Sequence, residues 1–207
     1  GIPLEIISCS EMEFALRLFQ TTGSIEHLTK LNFDSSANYD SEEAIYQHHN
    51  ISFVEPELRE GMQELELASN NKLPRLIELT DLKGILHNHS KYSDGQNTLK
   101  EMALYAKELG YEYLGICDHS QSAFYASGMK SDKIVAQHLE IEQLNKELFP
   151  FKIFKGVESD ILNDGNLDYP EEILKSFDFI VASVHSNLKM NEEKATARLI
   201  KAIENPY

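Results

Sequence analysis

The sequence predicts an α/β fold built on a parallel sheet, and three observations predict it. From residue 81 onward, short β-prone apolar runs alternate strictly with amphipathic stretches, the pattern of successive βα units. Each apolar run ends in histidine or carboxylate side chains. The chain of 207 residues is 42% hydrophobic and 26% charged, ordinary for a folded protein with one or two cores.

Taken in order, the N-terminal part reads differently from the rest. Residues 4–8 form a short strand candidate, and residues 11–19 a helix with Met12, Ala15, Leu16 and Phe19 on one face. An acidic, turn-rich passage over 32–43 leads to a second small strand at 51–54, after which Pro56 and Gly61 punctuate the chain. Residues 1–66 are therefore expected as a small α+β domain, 67–80, with Asn70, Asn71 and Pro74, as a linker, and 81–207 as the α/β domain. In that domain strands are expected at 84–89, 113–118, 152–158 and 179–185. Helices are expected between and after them at 99–109, 132–148, 171–177 and 192–204. The first helix carries Leu99, Met102, Ala103, Ala106 and Leu109 at helical spacing, with Thr98 placed to cap it and Gly110 just past its end.

Composition narrows the function. No run approaches the ~20 apolar residues of a membrane span, and acidic residues stand where a secretory signal would carry basic ones, so a cytoplasmic protein with no membrane partner is expected. Cys9 and Cys117 fit no disulfide framework, and Cys117 reads as a small buried strand residue. With 19 Lys and Arg against 34 Asp and Glu, a net charge of -15 repels phosphate, so an anionic substrate needs bound cations to attract it. The opening on Gly1 and the stop at Tyr207, straight after a helix-like segment, suggest a piece of something longer. The sequence sets no oligomeric state.

The chemistry lies at the strand ends. The first strand supplies His87 and His89, with Asp94 following; the second supplies Asp118 and His119, the third Glu158 and the fourth His185. In parallel α/β architectures the carboxyl ends of strands converge on one face, so these groups meet despite their separation in sequence. Residues i and i+2 of a strand point the same way, so His87 and His89 can hold one ion together. Singly each has a blander reading: a cross-strand histidine pair, a helix cap at Asp118-His119, a surface ion pair at Glu158. Their joint placement favours a metal cluster. Imidazoles with bridging carboxylates suit zinc, manganese or iron rather than magnesium alone, and two or three such ions can bind a phosphate ester, orient it and activate a water. His27, His48, His49 and His138 lack strand-end placement and read as packed or solvated residues, while Tyr92 and Tyr125 could line a pocket mouth.

The run from Leu82 to Ser90, followed by Tyr92-Ser93-Asp94-Gly95, resembles the first motif of PHP (polymerase and histidinol phosphatase) domains. Gly115-Ile116-Cys117-Asp118-His119-Ser120 is similar to the second, Lys155-Gly156-Val157-Glu158 to the carboxylate strand, and Val181-Ala182-Ser183-Val184-His185-Ser186 to the next histidine strand. Upstream, Pro56-Glu57-Leu58-Arg59-Glu60-Gly61 and Leu73-Pro74-Arg75-Leu76-Ile77 resemble the connector between polymerase and PHP modules in bacterial family X DNA polymerases. The resemblance implies part of a distorted (β/α)7 barrel preceded by a remnant of polymerase palm and thumb, up to three divalent ions, and 3′-5′ exonuclease or related phosphoesterase activity in DNA repair. It implies that His87 and His89 bind one metal, Glu158 bridges two, His185 binds the second, and Asp94 with His119 the third. Asp118 would hold its neighbour in orientation, sharing with Glu158 the catalytic assignment. DNA would be reached through the longer parent, and the family's further ligands lie downstream of Tyr207, which leaves an isolated chain with four strands of the barrel and weak activity or none.

Thr22, Gly23 and Ser24 resemble the nucleotide-proximal segment of the polymerase module, but Gln20 and Thr21 replace its aromatic pair and Glu5 stands where an aspartate is expected. These departures weigh against nucleotidyl transfer. A phosphatase acting on small esters, of the histidinol phosphatase kind, and a metal-stabilised module without catalysis are the competing expectations.

Overall fold

The computed structural model describes residues 3–207, and the chain divides after Leu76 into two compact units. The division falls inside the stretch expected as a linker, of which Ala68 and Leu73 pack in the first unit's core.

Among its described residues the first unit is helical, with α1 (Glu11–Thr22), α2 (Ile25–Leu31), α3 (Glu42–His48) and α4 (Glu64–Ser69). The strands expected at 4–8 and 51–54 do not form, which removes the α+β character expected of this region. A strand needs a partner for its backbone groups, and two isolated apolar runs offer each other none. Helices α2 to α4 escape a periodicity search because six or seven residues hold barely two turns. The caps of α2 and α3 are nevertheless in the sequence: Ser24 accepts from the His27 amide at 3.1 Å and Ser41 from the Ala44 amide at 3.3 Å. Leu16, Phe19, Leu31, Ile45, Tyr46, Val54 and Ala68 form the core.

The second unit alternates as expected. Strands β1 (Gly84–Asn88), β2 (Tyr113–Ile116), β3 (Lys152–Asp160) and β4 (Phe179–Ser183) are separated by α5 (Leu99–Glu108), α6 (Ser131–Glu147) and α7 (Glu171–Leu174), and α8 (Glu192–Ile203) follows. All pairings are parallel, in the order β1-β2-β3-β4. A doubly wound sheet reverses its strand order at a switch point, whereas a barrel adds each strand beside its predecessor. The sequential order is thus that of a partial barrel.

Helix α5 starts where Thr98 accepts from the Glu101 amide at 3.3 Å while Glu101 accepts from the Thr98 amide at 2.8 Å, a reciprocal cap that contributes about 1 kcal/mol. It ends before Gly110, whose φ of +87° suits glycine. Its buried face, Leu99, Ala103 and Ala106, packs with Ile141 and Leu144 of α6 on Leu114, Ile116 and Ile153 of the sheet. Leu109, expected on that face, is exposed. Burial of each such aliphatic side chain stabilises by roughly 1.5–3 kcal/mol. A second cluster, with Met129, Val157, Ile161, Leu167, Tyr169 and Ala202, lies under the carboxyl end of β3 and β4, beside the predicted site.

Candidate metal centre

Every strand-end residue singled out for metal binding arrives in one place, and Glu158 is its centre. The Glu158 side chain, 8% exposed, points one oxygen, Oε1, at His87 Nε2 (3.6 Å) and His185 Nε2 (3.2 Å). The other, Oε2, faces His89 Nε2 (3.5 Å) and His119 Nδ1 (3.0 Å). Asp94 closes one side, with Oδ1 at 3.5 Å from His89 Nδ1 and Oδ2 at 3.8 Å from His119 Nε2. Three overlapping groups, His87-His89-Glu158, His89-Asp94-His119 and His119-Glu158-His185, each offer ligand atoms within 4.8 Å of one another.

The backbone explains how they converge. In β1 the register slips between Ile85 and Asn88, and His87 takes a φ of +63°, a left-handed conformation that costs a side-chain-bearing residue about 1–2 kcal/mol. Simple alternation was expected to align His87 and His89; the bulge does so instead, with rings 5.5 Å apart. The Asn88 amide group bonds Gly115 O at 3.2 Å and its carbonyl accepts from the Cys117 amide at 2.7 Å, which fixes the bulge to β2. His119 lies beyond β2 as a bridge partner of Glu158, with the Ser120 amide donating to Glu158 O at 3.0 Å. A Cβ at Gly95 would collide with the His89 carbonyl, so only glycine lets the Asp94 turn close on the cluster.

Asp118 is fully buried but stands behind the ligands. Its Oδ1 accepts from the Ser90 amide (2.7 Å), the Ser93 amide (3.2 Å) and the Ser93 hydroxyl (2.6 Å), and its Oδ2 from the Ser90 hydroxyl and Gln137 Nε2 (both 2.6 Å). It therefore shapes the loop that carries His89 and Asp94, rather than orienting the adjacent His119 as the sequence suggested. Burial pushes its carboxyl above the usual carboxylate range, against the pull of the Ser90 and Ser93 bonds. Ser90, Ser93 and Gln137 were not foreseen, and neither was Asp160, whose Oδ1 accepts from His185 Nδ1 at 2.6 Å. The signal for Asp160 was present: it stands two residues after Glu158 on one strand and shares its direction.

Electrostatics separates the histidines. Burial, with His119 next to it, holds His89 below the ordinary imidazole range. At His185 burial opposes the charge, but Asp160 and Glu158 outweigh it and push the imidazole up. Burial raises the Cys117 thiol to about 12, which leaves it a packing residue. Tyr125 is exposed, its ring 6.0 Å from that of His119 and 6.3 Å from that of His185, whereas Tyr92 turns to Glu140 with an oxygen separation of 2.8 Å. A cavity of about 590 Å³, lined by Ser122, Tyr125, Asp160, Leu162, Asn163, Asp164, His185 and Ser186, opens beside the cluster with no Lys or Arg on its wall.

These residues fit metal ions. His89 Nδ1 and His119 Nδ1 are buried with no hydrogen-bond partner. Imidazole nitrogens and carboxylate oxygens gathered around one carboxylate offer a set of lone pairs that divalent cations could accept.

The remaining predicted positions lie in the first unit and are already engaged. Thr22 Oγ1 donates to Leu18 O (2.7 Å) and accepts from Arg59 (2.7 Å), and the Ser24 hydroxyl caps α2. A Cβ on Gly23 would come within 3.0 Å of the Leu28 side chain. Glu5 is exposed in a stretch without regular structure. His27, read as packed or solvated, is fully buried, and His138 lies edge-on to Phe177 with ring centroids 4.9 Å apart.

Comparison with known proteins falls on the same residues. The chain is 41% identical over 169 residues to the DNA polymerase/3'-5' exonuclease PolX of Bacillus subtilis, covering 82% of this chain and 29% of that protein. It is 32% identical over 125 residues to a probable phosphatase of Acetivibrio thermocellus and 33% identical over 130 residues to one of Thermoanaerobacter, each match spanning 58% of this chain and 49% of the relative. The chain thus spans less than a third of the first of these relatives and about half of the other two. The family model for the PHP domain matches residues 86–205, which include every residue of the cluster around Glu158, and the chain belongs to the PHP domain family.

Proposed function

We propose that the second unit is a hydrolytic phosphoesterase centre that uses two or three divalent ions, zinc, manganese or iron, and that in the whole protein it cleaves DNA phosphodiesters from a 3′ end. The observation that carries the reading is the placement of Glu158, whose two oxygens each face two different imidazoles, the arrangement of a carboxylate shared by two ions. His87 and His89 would hold one ion, His185 with Glu158 a second, and His119 with Asp94 a third. Glu158 belongs to two of the overlapping groups and, with two oxygens, is the residue that neighbouring ions would share.

When bound, such ions neutralise phosphate charge and lower the pKa of a coordinated water toward neutrality. The protein's own residues supply position. Glu158 holds the imidazoles around one point, and Asp118 fixes the Ser90 to Ser93 turn from behind. Arg198 donates to the carbonyls of Leu162 and Ser186, both at 2.9 Å, and of Ile161, tying the segment after His185 to the end of β3. With no Lys or Arg on the adjacent cavity wall, attraction of an anionic ester falls to the ions.

DNA as substrate is supported by the similarity to the DNA polymerase/3'-5' exonuclease of Bacillus subtilis, and a role in repair and a cytoplasmic location are proposed with it. The similarity to probable phosphatases over 58% of the chain favours a second reading, a phosphatase for small esters. Polymerase activity has little support in the first unit, where the Thr22 and Ser24 hydroxyls are committed to the fold. Elemental analysis, paired with manganese-dependent assays on 3′-ended single-stranded DNA and on histidinol phosphate, tests the reading. Two or three ions with DNA hydrolysis are expected; ions with phosphatase activity alone would select the second reading, and absence of both would overturn the metal centre.

A further inference from the structure

Among the cluster's imidazoles, His185 alone has its rear nitrogen hydrogen-bonded to a carboxylate. His185 Nδ1 is 2.6 Å from Asp160 Oδ1, whereas His89 Nδ1 and His119 Nδ1 make no hydrogen bond and face carboxylates of the cluster itself, Asp94 Oδ1 at 3.5 Å and Glu158 Oε2 at 3.0 Å. Asp160 is itself 7% exposed and held on every side. Its Oδ2 accepts from the Ser122 hydroxyl at 2.8 Å, its amide donates to the Ser120 hydroxyl at 2.9 Å, and β3 pairs it with Ser183 of β4. Ser122 is anchored in turn, its amide donating to Asp168 Oδ2 at 2.6 Å, and the Asp168 amide donates to Ser159 Oγ at 3.1 Å.

We infer that Asp160 is a positioning residue that fixes the tautomer of His185, making Nε2 its ligand atom and preorganising the Glu158–His185 position ahead of the others. The inference rests on the metal-centre reading above and goes beyond it by ranking the positions. A carboxylate can only accept, so a neutral His185 must carry its proton on Nδ1, which leaves the Nε2 lone pair free. That nitrogen lies 3.2 Å from Glu158 Oε1 and 3.1 Å from the Ser183 hydroxyl, which has a hydrogen to offer it while no ion is present. The other buried imidazoles must select a tautomer and orientation when an ion arrives, so their positions start less ordered. Removal of such a supporting partner lowers metal affinity about 10–100-fold.

The test compares the wild-type chain with Asp160→Ala, Asp160→Asn and Ser122→Ala. Nitrogen-resolved NMR of the imidazoles in alkaline, metal-free solution reports the tautomer, and zinc titration against a chromophoric chelator reports affinity at each position. The wild type is expected to hold His185 with its proton on Nδ1 and to show one zinc position tighter than the rest. Asp160→Ala is expected to move the proton to Nε2 and to weaken that one position about 10–100-fold. Asp160→Asn, which keeps an acceptor, should preserve the tautomer with a smaller loss, and Ser122→Ala a smaller one still; these two keep the inference testable if the alanine variant does not fold. Unchanged tautomer and zinc affinity in the folded variants would overturn it. A wild-type chain that binds no zinc would instead overturn the metal-centre reading and the ranking with it.

Discussion

Both units bury histidine against carboxylate, and they do so to opposite ends. In the first, His27 Nδ1 is hydrogen-bonded to Glu64 (2.7 Å) and Nε2 to the Tyr46 hydroxyl (2.9 Å), and Glu64 also accepts from the Gly61 amide at 2.7 Å. Beside it the buried Arg59 bonds Val54 O (2.9 Å), Thr22 (2.7 Å) and Glu42 (2.5 Å), with its guanidinium 5.3–5.5 Å from the ring centroids of Phe19, Tyr46 and Phe53. Both nitrogens of His27 are satisfied inside the protein. In the second unit His89 Nδ1 and His119 Nδ1 are buried without a hydrogen bond, facing Asp94 Oδ1 at 3.5 Å and Glu158 Oε2 at 3.0 Å. The comparison shows that burial and charge do not separate a structural imidazole from a candidate ligand, and neither does an open hydrogen bond alone, since His138 Nε2 is also buried without one; what sets the second unit apart is the convergence of several imidazoles and carboxylates on one point.

The largest expected effect would sharpen this contrast. Glu158→Gln removes the shared carboxylate and is expected to cost at least ~100-fold in hydrolysis by the whole protein and to reduce bound ions by elemental analysis. Full retention of both would remove Glu158 from the site. Arg59→Met in the first unit leaves Glu42 without its partner and is expected to lower stability by about 3–5 kcal/mol in urea unfolding. Zinc content should not change; if it falls, the first unit's network is not purely structural.

Asp118→Ala strips five hydrogen bonds from the Ser90 to Ser93 turn and Gln137, with an expected loss of about 2–3 kcal/mol and weaker zinc binding at His89 and Asp94. A stable variant with full zinc affinity would show that the turn keeps its shape unaided. His138 gives a smaller, pH-dependent effect. Burial, with Lys155 nearby, lowers its pKa from 6.5 to about 4, so the unfolded chain takes up the proton first. Its contribution is complete above pH 6.5 and is lost as pH falls toward 4, amounting to about 2 kcal/mol after allowance for partial exposure. His138→Ala should therefore flatten that part of the stability profile while leaving zinc content and hydrolysis within about twofold. A large loss of activity would make His138 part of the site.

The second unit was legible because its signals are local. Four strands, four helices, the Thr98 cap and the placement of ligands at strand ends are written in consecutive residues, with boundaries that shift by a few positions at most. The first unit was less so, because α2 to α4 are too short for periodicity, and because residues 4–8 and 51–54 carry β-prone side chains without partners for their backbone.

The sequence by itself determined the βα alternation, the histidine and carboxylate candidates for metal binding and the strand ends from which they come, because periods of 2.0 and 3.6 residues translate directly into faces and ends. Only the tertiary structure decided which groups pair. It turned His87 through a bulge, set Asp118 under the Ser90 to Ser93 turn, gave Asp160 to His185 and sealed His27 between Glu64 and Tyr46. Partners in these cases stand 19 to 37 residues apart along the chain. A hydrogen bond forms wherever packing brings donor to acceptor, and no local period in the sequence encodes that distance.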